Sequence, residues 1–250
     1  MEVALITYVL LFPAFLFCIE IGYRIAMRSM GRDAEVTEPE KVAATFVLTL
    51  LSLVLAFSLS AARDMYKERA QKILAEAQAI RAARVAIDDL DGELRKKGLA
   101  LAISYVESKR AYNTALNNST DPKPHFDKSG RILHEIRALC RSSSEEAEDP
   151  KVSKVLERLE TVSEIGLERD VLVHAPQDKV AFSFLIIVAA IACFLVGHAH
   201  RTATKRSWWA GMLFAGVVSA TMVLILDYSS PRGGLIRVDS ADVLYEELRR

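Results

Sequence analysis

Cysteine is scarce in this chain, with three in 250 residues, and two of them, Cys18 and Cys193, fall inside long apolar runs. Only Cys140 lies in the polar middle of the sequence, so no disulfide can close within that region. The patterns that announce enzymatic chemistry are missing too. There is no phosphate-cradling glycine loop, no paired-cysteine zinc spacing, no nucleophile elbow and no His-Glu-x-x-His. His198 and His200 are two residues apart, which turns them about 200° from one another on a helix and prevents joint metal ligation. No catalytic residue, metal site or cofactor is expected. An excess of one charge is also lacking. Lys and Arg total 32 against 32 Asp and Glu, and a chain without a strongly basic face is not expected to bind nucleic acid.

Charge is almost absent from four stretches: Val3 to Tyr23, Val42 to Ala62, Val180 to Ala199 and Trp208 to Leu226. Each is close to the roughly 20 residues that a helix needs to cross about 30 Å of hydrocarbon. The expected protein is all-α and multi-pass, with the lipid bilayer as its first partner. Residues 1–62 form a first transmembrane pair, 63–178 a polar helical insert, 179–227 a second pair, and 228–250 a turn and short helix. The first run is preceded by no basic residue and contains no small-x-small cleavage site ahead of Arg24 and Arg28, so it reads as a retained anchor.

Orientation is read from lysine and arginine in the short loops. Arg24, Arg28, Arg32 and Lys41 follow the first span, and Arg201, Lys205 and Arg206 follow the third. Both loops are therefore expected on the cytoplasmic side, with the insert and both termini outside. Trp208 and Trp209 suit an interfacial anchor for the last span.

The insert carries 20 basic and 21 acidic residues and reads as helix throughout. Tyr66, Ile73, Ile80 and Ile87 recur every seven residues, with Ala70 and Ala77 in the same seam, and no glycine or proline interrupts Val42 to Asp91. The second span is thus expected to run on as a rigid stalk reaching roughly 70 Å at 1.5 Å per residue. Asp91-Gly92 marks a turn, and a second helix follows through Leu101, Tyr105 and Tyr112. Asn117 to Pro124 forms the strongest loop signal in the chain. Ile132, Leu133, Ile136, Leu139 and Cys140 share one face of a third helix, and Val152, Val155, Leu159 and Val162 one face of a fourth. Four amphipathic helices predict an antiparallel bundle. Glu76, four residues after Lys72, is expected to form a surface ion pair.

In the second span Thr45, Thr49, Ser52, Ala56 and Ser60 follow spacings of four, three, four and four. This small, partly polar stripe either lines a hydrated pathway or lets neighbouring helices approach closely. Phe46 and Phe57, eleven residues apart, flank it and would narrow such a pathway. Gly211, Ala215 and Ser219 make a small-xxx-small contact series in the last span. Glu20 and Asp227 lie close to span ends, where an acid is either functional or simply interfacial. After Asp227, Pro231 stops the helix and Gly233-Gly234 permits a sharp turn. Leu235 to Val238 then form a short extended piece, with Ile236 and Val238 on one face.

These features resemble the bacterial bestrophin-like domain family, distant relatives of the bestrophin anion channels. The resemblance rests on "LLSLVLAFSLSAARDMYKERAQKILAEAQAI", with a Glu-Ala-x-x-Ile element at Glu76, Ala77 and Ile80, and on Pro176 ahead of the third span. It rests most on an Asp-x-Asp-Arg-Pro element, here Asp227, Tyr228, Ser229, Ser230, Pro231, followed by Gly234, Ile236 and Val238. Ser229 and Ser230 replace the acidic and basic members, so a contact between those members does not transfer. The resemblance implies a homo-oligomer whose second spans surround an axial path for chloride or another anion. It also implies a cytoplasmic insert, against the short-loop count, which is followed here. The alternative from another class is a non-conducting sensor or scaffold whose insert binds a ligand or partner protein. A membrane enzyme is a distant third.

Overall fold

The structure, a computed structural model, describes residues 2–29, 37–118, 120–142, 149–174, 179–200 and 208–229. Seven helices account for it: α1 (Glu2–Ser29), α2 (Glu38–Asp88), α3 (Gly92–Asn117), α4 (Lys123–Ser142), α5 (Pro150–His174), α6 (Lys179–Ala199) and α7 (Trp208–Ser229). No strand occurs among the described residues. The expected all-α architecture is present, and the second span and stalk are one helix of 51 residues. Among the described residues four helices are long and apolar enough to cross a membrane, namely α1, α2, α6 and α7. The chain is a multi-pass membrane protein.

Two compact units divide the chain, the first from residues 1–65 and 176–230 and the second built on 66–175. In the membrane unit α1 packs most intimately on α6. A Cβ added to Gly22 would overlap the carbonyl oxygen of Phe194, and one added to Gly197 would overlap that of Ile19. Ala26, Ala189, Ala192 and Cys193 are fully enclosed around this crossing. Small residues let the two backbones meet, which is how helices gain van der Waals contact where lipid removes the hydrophobic drive. The expected series Gly211, Ala215 and Ser219 is buried, and a Cβ on Gly211 would stand 3.6 Å from Ile19. Phe15, Leu185, Val188 and Met222 fill the remaining interior.

In the insert unit the core follows the expected faces. Ala77, Ile80, Ala83 and Ile87 of α2, with Leu90 in the turn that follows it, meet Tyr105 and Val106 of α3, Ile132, Leu133, Ile136 and Cys140 of α4, and Val152, Val155, Leu159 and Val162 of α5. The turn at Asp91-Gly92 is present, with Gly92 at φ +61°, a left-handed conformation that glycine adopts without a Cβ clash. Lys151 pairs with Asp91 at 2.6 Å, fastening the start of α5 beside this turn.

Candidate functional site

The sequence-predicted stripe lies along α2, where Thr45, Thr49, Ser52, Ala56 and Ser60 are all exposed on the surface of the single chain. Phe46 and Phe57 beside it are each 67% exposed. The Thr49 hydroxyl donates to the Thr45 carbonyl at 2.8 Å and the Ser52 hydroxyl to the Thr49 carbonyl at 2.8 Å. Each of these two hydroxyls therefore has a partner in its own helix, and the stripe tolerates either water or a neighbouring helix beside it. Only 6% of the apolar window of α2 is buried, against 22% for α1 and 33% for each of α6 and α7. The span with the most polar face is the one this chain covers least.

The remaining residues of interest part company. Glu76, Ala77 and Ile80 are buried in the insert, and Asp227 is buried near the end of α7. Pro176, Pro231, Gly234, Ile236 and Val238 lie outside the described residues.

Glu76 corrects the expectation of a surface pair with Lys72. Its side chain is wholly enclosed, and Lys72 instead pairs with Glu168 of α5 at 2.6 Å. The reason is register. Glu76 falls in the inward seam with Ile80, Ala83 and Ile87, whereas Lys72 sits to one side of it at the edge facing α5. The Glu76 carboxylate receives Lys109 Nζ on Oε1 at 2.7 Å and Arg169 Nη1 on Oε2 at 2.5 Å, and both cations are also buried. Arg169 donates further to Asn113 Oδ1.

One acid against two bases leaves a positive surplus, which aromatic faces and an acid nearby absorb. Lys109 Nζ lies 5.6, 5.7 and 5.4 Å from the ring centroids of Tyr105, Tyr112 and Phe126, and Arg169 stacks 5.5 Å from Tyr112. The Tyr112 hydroxyl donates to Asp170 at 2.7 Å, and burial followed by this bond pushes the phenol up. Burial alone would raise the Glu76 carboxyl, but the Lys109 and Arg169 charges and hydrogen bonds outweigh it and hold the group at about 2. Gly166 sits directly against the cluster, where a Cβ would stand 3.4 Å from both Glu76 Oε1 and Lys109 Nζ, in van der Waals contact.

Sequence reasoning missed this cluster, although the signal was there. Arg169 continues the seam Val155, Leu159, Val162, Gly166 at spacings of four, three, four and three. Lys109 likewise stands four residues from both Tyr105 and Asn113 on the buried face of α3. A charge in the seam of three different helices calls for internal pairing. Chemically the cluster is a closed three-helix pin. No group of side chains able to hold a metal ion occurs among the described residues.

With this geometry in view, the sequence profile of the Bestrophin-like domain matches residues 12–243. The chain belongs to the bestrophin-like family. No curated protein matches the sequence. Among solved structures, a bacterial bestrophin homologue from Klebsiella pneumoniae carrying a point substitution aligns with a TM-score of 0.73 at 12% identity, covering 100% of this chain and 97% of that one. A second structure of the bestrophin homologue from that organism gives a TM-score of 0.70 at 13% identity, covering 98% and 96%. At such identities the likeness is one of fold. It covers the membrane helices and the insert alike.

Proposed function

We propose that this bestrophin-like protein is a homo-oligomeric channel in which copies of α2 surround an axial path, with chloride or another anion as the permeant species. The observation that carries the reading is the exposed hydroxyl stripe on the least covered span. A lone chain would leave Thr45, Thr49, Ser52 and Ser60 against lipid, whereas a ring of copies turns them toward water. Membership of a family named for bestrophins supports the same reading. The stripe from Thr45 to Ser60 carries no carboxylate to repel an anion. Phe46 and Phe57 narrow the path as apolar constrictions. Glu76, Ala77 and Ile80, with Asp227, Pro231, Gly234, Ile236, Val238 and Pro176, serve the architecture rather than the permeant ion.

Purified protein in planar bilayers is expected to conduct, with Ser52→Trp lowering the current at equal incorporation. Silent bilayers at verified incorporation would remove the reading. They would leave the non-conducting sensor or scaffold, which the unbroken α2 favours because one helix runs from a span into the insert.

Orientation follows the short-loop charges, with the insert and both termini extracytoplasmic. A single exposed cysteine at Lys128 is then expected to react with an impermeant maleimide on intact cells. Reaction only after lysis would reverse the orientation without touching the channel reading.

A further inference from the structure

Two surfaces of the insert complement one another, but they lie where one chain cannot bring them together. On α2, Leu74 is 45% exposed and Arg81, seven residues on, is exposed on the same face. On α5, Leu167 and Val171 are 55% and 68% exposed, and Glu160 and Glu164 continue that face at spacings of four, three and four. Arg81, Glu160 and Glu164 form no ion pair among the described residues. The first surface is apolar then basic, with Val85, 54% exposed, one turn beyond Arg81, and the second is apolar then acidic.

Their levels match. Within the chain α2 and α5 run antiparallel, pinned by Lys72 with Glu168, Glu76 with Arg169 and Asp89 with Lys154. Those pairs set Leu74 level with the midpoint of Leu167 and Val171, and Arg81 level with the midpoint of Glu160 and Glu164. At about 100° per residue, however, Lys72 and Glu76 project some 160° away from Leu74, so the chain's own α5 lies behind the face that Leu74 and Arg81 occupy. The complement must come from another molecule. Rotation about an axis parallel to α2 leaves every level unchanged, so a second copy presents its α5 at the matching height.

We propose that the α2 face at Leu74 and Arg81 docks against the α5 face of the next copy, with Leu74 between Leu167 and Val171 and Arg81 between Glu160 and Glu164. The inference rests on the homo-oligomer reading and specifies its contact. Because the two surfaces differ, the contact is head-to-tail, the kind that closes a ring when the rotation allows.

Co-expressed chains carrying Leu74→Cys on one and Val171→Cys on the other are expected to join into a disulfide-linked heterodimer under mild oxidation, with neither variant alone doing so. Arg81→Glu is expected to remove most of the oligomer from the native mass distribution, and Glu160→Lys with Glu164→Lys in the same chain to restore it. Oligomers of unchanged mass that neither crosslink nor respond to Arg81→Glu would overturn this contact and leave the homo-oligomer standing. A wild-type protein that is monomeric in mild detergent and in lipid nanodiscs would overturn both.

Discussion

Glu76 shows how far one side chain can depart from its neighbours in sequence. Every other acid on α2 is exposed or half-exposed, but this one closes an ion cluster with Lys109 and Arg169 in which no charge reaches solvent. Removing one member of a buried pair strands the others, and such lesions cost about 3–5 kcal/mol. Glu76→Ala is therefore expected to lower the stability of the insert by that order, measured by urea unfolding followed through helical circular dichroism. The carboxyl held at about 2 adds a pH signature. Its stabilisation is complete above the unfolded value near 4.5 and is lost as pH falls toward 2, so the wild type should weaken across that window more steeply than Glu76→Gln. A variant as stable as wild type at neutral pH would show that the cluster is not a pin. The seven-residue repeat placed Ala77 and Ile80 in the seam, but the spacing of four from Lys72 pointed Glu76 to the surface instead. The seams of α3 and α5 carry Lys109 and Arg169, but local spacing does not show that they meet Glu76, which lies 33 and 93 residues away.

At the level of helices, the apolar runs and the amphipathic faces were readable because both depend on short-range pattern. Val152, Val155, Leu159 and Val162 are buried as their spacing requires. The crossing of α1 on α6 was not readable, since it depends on two glycines in different spans that nothing in either sequence window connects. Gly22 and Gly197 face carbonyl oxygens of the opposite helix, so neither position can hold a Cβ without separating the backbones. Separation forfeits packing along the whole contact and not just at one residue. Gly22→Leu and Gly197→Leu are each expected to reduce the recovery of folded protein from membranes severalfold, measured as the monodisperse fraction on gel filtration. Gly130→Leu, at a position with open space around the added Cβ, should leave recovery unchanged. Equal recovery for all three would mean that this crossing contributes nothing to assembly in the membrane.

For the whole molecule, the uneven covering of the four spans constrains what surrounds them. The helices α1, α6 and α7 close around Phe15, Leu185 and Met222, and their outer faces present Phe17, Ile187 and Leu213 at 65%, 57% and 60% exposure. Those faces suit lipid, being apolar but for Ser183 on α6 and the partly exposed Thr221 on α7, whose hydroxyl donates back to the Val217 carbonyl. The outer face of α2 is just as open but mixes Phe46, Leu53 and Phe57 with hydroxyls, a composition expected where water or a second copy, rather than acyl chains, is the neighbour. A lipid-soluble carbene reagent distinguishes these environments, because it reacts only with surface that acyl chains touch. In reconstituted protein it is expected to label Phe17, Ile187 and Leu213 heavily and the stripe from Thr45 to Ser60 at least severalfold less. Dispersing the same protein into monomers should bring the two sets to comparable labelling. Heavy labelling of the stripe in the assembled protein would place α2 at the lipid boundary, and an axial path lined by that helix would then be impossible.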